Sequence, residues 1–203
     1  LLNSNHAYEM VGLVNDQGQL LAGLSVSSEA VPQDWADTVA FRRAFREGED
    51  FIGVVELTPG QEWPTLIMAV PIRDSQNKVD GMLFARVNLK FLWAILAETK
   101  MGNRGYVYVL DQRNFVIAHS GGMPDQFAFK DLSQSPVNDL FSSELGEHLE
   151  IYRGLYNTMV LGSAARTTPA NWRVVIELPL IEAYAPVFNY LIIMGLGLAA
   201  SVF

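Results

Sequence analysis

The chain predicts an α+β fold of two tandem modules, each built on an antiparallel sheet, ending in the start of a transmembrane helix. Three observations carry this. An apolar–polar–apolar hairpin pattern occurs twice, roughly 95 residues apart, a spacing that suits two small domains better than a solenoid. Each copy is followed by a second strand pair and then a helix. The apolar runs are joined by short polar turns, which favours antiparallel pairing.

The first hairpin is YEMVGLVNDQGQLLAG, with Asp16-Gln17-Gly18 as its turn. The second is GYVYVLDQRNFVIAHS, with the turn at Asp111 to Asn114. There asparagine takes the left-handed position that glycine fills in the first copy. The segment DWADTVAFRRAFREGED predicts a helix with Trp35, Thr38, Arg42 and Phe45 on adjacent parts of one surface. Next, TLIMAVPIRDSQNKVDGMLFARVNL reads as strand, turn and strand, and KFLWAILAETK as a helix. In the second copy SPVNDLFSSEL predicts a helix with Ser135 as N-cap and Pro136 at its first position. YNTMVLGSAARTTPANWRVVIELPL repeats the strand pair, and IEAYAPVFNYL the helix. The boundary is expected at Met101 to Gly105, which gives modules over 1–101 and 102–182.

The two ends read as cut edges. LLNSNHAYEM has no basic start and no cleavage pattern, and looks like the entry into a strand. From Ala183 to Phe203 no residue is charged. The closing run from Leu191 makes only roughly 20 Å of helix, short of a hydrocarbon core of ~30 Å. Residues 183–203 therefore read as the start of a membrane span, with Tyr184, Asn189 and Tyr190 at its interface; the alternative is a buried terminal helix.

Composition excludes several classes. Half of the 203 residues are hydrophobic and 18% are charged, so a core can form. The net charge of −8 and the lack of a basic stripe argue against nucleic acid. With no cysteine, disulfides, thiolate chemistry and most structural zinc sites are ruled out. His6, His119 and His148 are far apart and lack ligand spacing, so no metal and no cofactor is expected. No nucleophile elbow surrounds Ser120, and no confident pair of catalytic acids is visible. Residues 121–130 read as a loop over the second module.

One residue stands out. Arg86 lies mid-strand on the face shared by Met82, Phe84 and Asn88. A guanidinium in a closed pocket needs an anionic or strongly polar partner, and its planar fork suits a carboxylate. Alternatively, it pairs with Asp50 or Glu56, or reaches solvent.

Five stretches resemble the double Cache sensor domain of bacterial chemoreceptors, sensor histidine kinases and membrane cyclases: FRRAFREGEDFIG, AVPI, GMLFARVNL, GNRGYVYVLD with IAHS, and WRVVIELP. Their order and spacing carry the likeness, and they cover nearly the whole chain. The resemblance implies two PAS-like modules, a long N-terminal helix and a first membrane span before Leu1, a homodimeric receptor in the inner membrane, and a small-molecule site in the periplasmic, membrane-distal first module. In the amino-acid-sensing branch an R-x-W-Y motif grips the ligand carboxylate and an aspartate grips the amine. Here those positions fall on Thr38, Ala40 and Phe41, and the aspartate falls on Arg86, which turns the expectation toward an anionic ligand such as an organic acid. The expected ligand-binding residues are Trp35, Phe41, Arg42, Phe51, Met68, Val70, Phe84, Arg86 and Asn88. The leading expectation is a non-enzymatic sensor ectodomain; a membrane-anchored scaffold contacting another protein is the alternative, and an enzyme comes third.

Overall fold

A computed structural model describes residues 7–26, 29–57, 63–121, 129–141 and 149–201. The chain forms two units, Leu1–Ala94 and Ile95–Phe203. The division falls inside a helix, a few residues before the expected Met101 to Gly105.

The first unit contains β1 (Tyr8–Asn15), β2 (Leu20–Ser25), α1 (Val39–Phe41), β3 (Phe51–Ile52), β4 (Thr65–Arg73) and β5 (Val79–Asn88), and α2 (Lys90–Ala97) begins there. Its sheet has the order β2-β1-β5-β4-β3, and every pair is antiparallel. The β1–β2 turn forms because the Asn15 carboxamide oxygen accepts from the backbone N–H of Gln17 and Gln19, at 3.0 and 2.8 Å. Gly18 closes the turn at φ +83°, where a Cβ would also meet the Ala36 backbone at 2.6 Å. The inner face of the sheet buries Met10, Val14, Met82 and Phe84 against Phe41 and Ala44. Trp35 packs on Phe84 with ring centroids 3.8 Å apart.

The helix expected over residues 34–50 is much shorter. Thr38 caps it, its hydroxyl accepting from the Phe41 N–H at 3.1 Å. After Phe41 the chain widens into a π-helical turn over Arg42–Arg46, closed by Glu47 N–H to the Arg42 carbonyl at 3.0 Å. The wider turn breaks the 100° winding assumed for this segment. Ala44 is buried, while Arg42 is turned to solvent.

The second unit repeats the plan with β6 (Tyr106–Leu110), β7 (Val116–His119), β8 (Glu150–Arg153), β9 (Met159–Arg166) and β10 (Arg173–Pro179), in the order β7-β6-β10-β9-β8. Asp111 takes the place of Asn15. Its carboxylate accepts from the N–H of Arg113 and Phe115, at 2.8 and 2.9 Å, and Asn114 adopts φ +70°. The helix expected from Ser135 is a 3-10 turn over Pro136–Phe141, and its continuation lies outside the described residues, as does most of the 121–130 loop. After β10 come α3 (Leu180–Ala183) and α4 (Ala185–Ser201). Among the described residues no helix is long and apolar enough to cross a membrane.

Glu177, on β10, is fully buried in the second core. An unpaired carboxylate there would be very costly. Four donors surround it: the hydroxyls of Tyr108 and Tyr152 at 2.6 and 2.7 Å, the Leu155 N–H at 2.9 Å, and the hydroxyl of Tyr106. Gly162 leaves room for the Tyr152 ring and Gly154 for the Glu177 carboxylate, since a Cβ at either would collide with it. Burial, and then the adjacent Glu177 charge, hold the phenols of Tyr106, Tyr108 and Tyr152 far above their ordinary pKa.

Two outcomes are expected. Glu177→Ala leaves three hydroxyls and an amide without their acceptor and should cost about 3–5 kcal/mol in urea unfolding. The phenols also set an alkaline limit. Unfolded tyrosines ionise from about pH 10. The native state keeps its protons longer, so the unfolded state binds fewer protons and stability falls as pH rises past about 10. Ultraviolet titration at about pH 11 should show Tyr106, Tyr108 and Tyr152 still protonated in the folded protein, and Tyr108→Phe should flatten the alkaline loss of stability.

Candidate functional site

Strand register decides which side chains can share a pocket. Arg86 on β5 lies opposite Met10 on β1 and Ile67 on β4. Residues directly opposite in a sheet share a face. Thr65, Ile67 and Ala69 therefore stand with Phe84 and Arg86, toward α1. In this space lies a cavity of about 400 Å³. Trp35, Thr38, Val39 and Ala40 form one side, Phe51 to Val54 and Glu56 another, and Thr65, Leu66, Ile67 and Arg86 the sheet side. The wall is largely apolar with few polar groups, as in small-molecule sites generally. Among the described residues its ionisable side chains are Glu56 and Arg86.

Arg86 is the notable wall residue. Its side chain is 20% exposed, and Nη1 lies 2.5 Å from Oε2 of Glu29, whose side chain is 52% exposed. Glu29 comes from the segment between β2 and α1. Among the described residues Glu29 is the one partner of Arg86, and neither Asp50 nor Glu56 pairs with it. The expectation of a lone guanidinium is thus corrected: an internal acid already neutralises part of it. Nε and Nη2 find no hydrogen-bond partner among the described residues, so donors remain for a guest.

The expected residues divide. Trp35, Phe51 and Arg86 line the cavity. Phe41 and Phe84 are buried in the core behind it rather than in its wall. Arg42 faces solvent at the start of the π-helical turn. Asn88 shares the face of Arg86 but stands off the cavity, its side-chain oxygen accepting from the Lys90 N–H at 3.3 Å. Met68 and Val70 are on the opposite face of the sheet, 37% and 38% exposed. The cause is a bulge. Pairing counted from the turn, with Arg73 opposite Val79, would set Met68 across from Phe84. A shift between Ile72 and Arg73 moves the register by one and sets Ala69 there instead, and such a slip exchanges the two faces. Glu29, Glu56 and the Ile52–Val54 wall were missed. Glu29 is 57 residues from Arg86, and no local pattern links them.

The same place in the second sheet is filled. Glu177 stands opposite Tyr106 and Gly162, as Arg86 stands opposite Met10 and Ile67, with both on the central strand. His119 lies beside this cluster. Its Nδ1 accepts from the Gly121 N–H at 2.9 Å, and Nε2 lies 3.3 Å from the Tyr156 hydroxyl. The residue is 1% exposed and forms part of the fold's interior. His6 and His148 lie outside the described residues.

Two antiparallel five-stranded sheets built to one plan define a pair of tandem PAS-like modules. The chain belongs to the Cache domain family, whose dCache_1 model matches residues 1–187. No curated protein matches it. Among solved structures it is similar to the ligand-binding domain of the Campylobacter jejuni chemoreceptor Tlp3 in complex with 4-methylisoleucine, at 18% identity and TM-score 0.63, covering 89% of this chain and 68% of that one. It is also similar to the ligand-binding domain of the Pseudomonas aeruginosa PAO1 amino acid chemoreceptor PctC in complex with GABA, at 16% identity and TM-score 0.62, covering 85% and 75%. The extracellular domain of the putative histidine kinase mmHK1S-Z2 matches at 12% identity and TM-score 0.67, covering 89% and 78%. At these identities the likeness shows the fold. Family members are ligand-binding sensor domains outside the cytoplasm.

With Glu29 half exposed to solvent, its pair with Arg86 has a small energetic role. Glu29→Gln should change unfolding stability by less than about 1 kcal/mol, measured by urea titration.

Proposed function

We propose that this chain is the extracytoplasmic sensing domain of a bacterial transmembrane receptor, and that the cavity of its first unit binds a small anionic molecule, an organic acid in the simplest case, through a carboxylate on Arg86. One observation carries this: a guanidinium in the wall of a cavity of about 400 Å³ keeps donors that the described residues do not use. A carboxylate of the guest would satisfy them with charge-assisted bonds, while Trp35, Phe51 and Ile67 supply apolar contact. The ligands of three solved relatives, 4-methylisoleucine, GABA and asparagine, all carry a carboxylate, which supports the contact with Arg86, but each also carries an amine and so none is a net anion.

A second reading rests on Glu56. A carboxylate in the same wall as Arg86 suits a zwitterion, with an ammonium group set near it. Anchoring follows from α4. Val187, Phe188 and the run Tyr190–Met194 are all more than half exposed, an apolar helix bare to solvent over these positions. Such a surface calls for a membrane or another helix. In such a receptor the domain works as a homodimer at the inner membrane.

Thermal unfolding of the chain with propionate, pyruvate, L-alanine, propylamine and propionamide tests this. Compounds with a carboxylate should raise the melting temperature by about 5 °C or more near a hundredfold excess over Kd, and Arg86→Gln should remove the shift. Stabilisation by propylamine or propionamide, with the carboxylates inert, would contradict it.

A further inference from the structure

Glu29 sets an acid beside the one guanidinium that a guest carboxylate would meet. Its carboxylate lies 2.5 Å from Nη1 of Arg86, and Glu56 adds a second carboxylate in the cavity wall. One acid thus pairs with the guanidinium, and a second stands in the same wall without touching it. Arg86 is the less exposed of the pair, at 20% against 52%, so the guanidinium is held by the sheet while Glu29 meets it from the solvent side.

We propose that Glu29 is the specificity-determining residue of this cavity: it disfavours net anions and leaves zwitterions nearly unaffected. This rests on the reading that a guest carboxylate meets Arg86. The physics is a competition. A carboxylate arriving at Nε or Nη2 shares Arg86 with Glu29, and the two negative groups repel across the guanidinium. The newcomer must displace Glu29 or tolerate it. A zwitterion brings a cation along, which offsets that repulsion and is itself attracted to the two acids. The selection therefore acts on net charge and needs no direct contact between Glu29 and the guest.

Isothermal titration of this chain with propionate and with L-alanine, which differ by one ammonium group, reads the effect. In Glu29→Gln, propionate should bind about 1.5- to 5-fold tighter, the scale of a half-exposed ion pair. L-Alanine should stay within about twofold of the wild type or weaken. Glu29→Ala should give the same sign without an amide left to hydrogen-bond Arg86. Asp80→Asn, which removes the same charge from an exposed position on β5, should change neither ligand by as much. Weaker propionate binding in both Glu29 variants would mean that the acid buttresses Arg86, and would overturn the proposal while the site reading stands. Equal tightening of both ligands would also overturn it. If Arg86→Gln binds both as the wild type does, or if neither probe binds wild type or variants, the carboxylate reading itself falls and this inference falls with it.

Discussion

A charged side chain on the inner face of a sheet must be satisfied, and each module meets that requirement at the same place. Arg86 and Glu177 occupy matching positions near the end of the central strand, one pair of residues before the chain leaves for a helix. Glu177 is satisfied completely from within, by three phenols and a backbone amide. Arg86 is satisfied in part, by one half-exposed glutamate. The second sheet has its anion built in, whereas the first keeps guanidinium donors that the described residues do not use, beside a cavity.

This asymmetry also bears on signalling in the proposed receptor. A ligand can transmit only through unequal affinity for two arrangements of the protein. Arg86 precedes α2 by a short step, so a guest that reseats the guanidinium acts on the strand that feeds this helix. Disturbing the tyrosine cage of the second sheet would leave a buried carboxylate without its donors, which is costly.

Much of the architecture was legible in local chemistry. Both hairpins were readable because Gly18 and Asn114 can take left-handed backbone and because Asn15 and Asp111 can accept from the turn amides. The inward set of Arg86 followed from alternation with Met82 and Phe84. What could not be read was non-local or broke a period. The bulge at Ile72 and Arg73 exchanged the faces of β4 and carried Met68 and Val70 away from the site. The π-helical turn after Phe41 broke the helical period of its segment. Glu29 finds Arg86 only through the folded path of the chain. The cage around Glu177 draws on β6, β8 and β10, so its members are neighbours in space alone.

The occupancy of Arg86 can be observed directly through its own Nε–H resonance, identified by its loss in Arg86→Lys. Adding propionate to nitrogen-15-labelled protein should move this signal in a saturable way and leave those of Arg104 and Arg153, in the other unit, in place. A signal from Arg86 that stays fixed while saturable shifts appear at the second unit or on the Met68 and Val70 face would contradict the account.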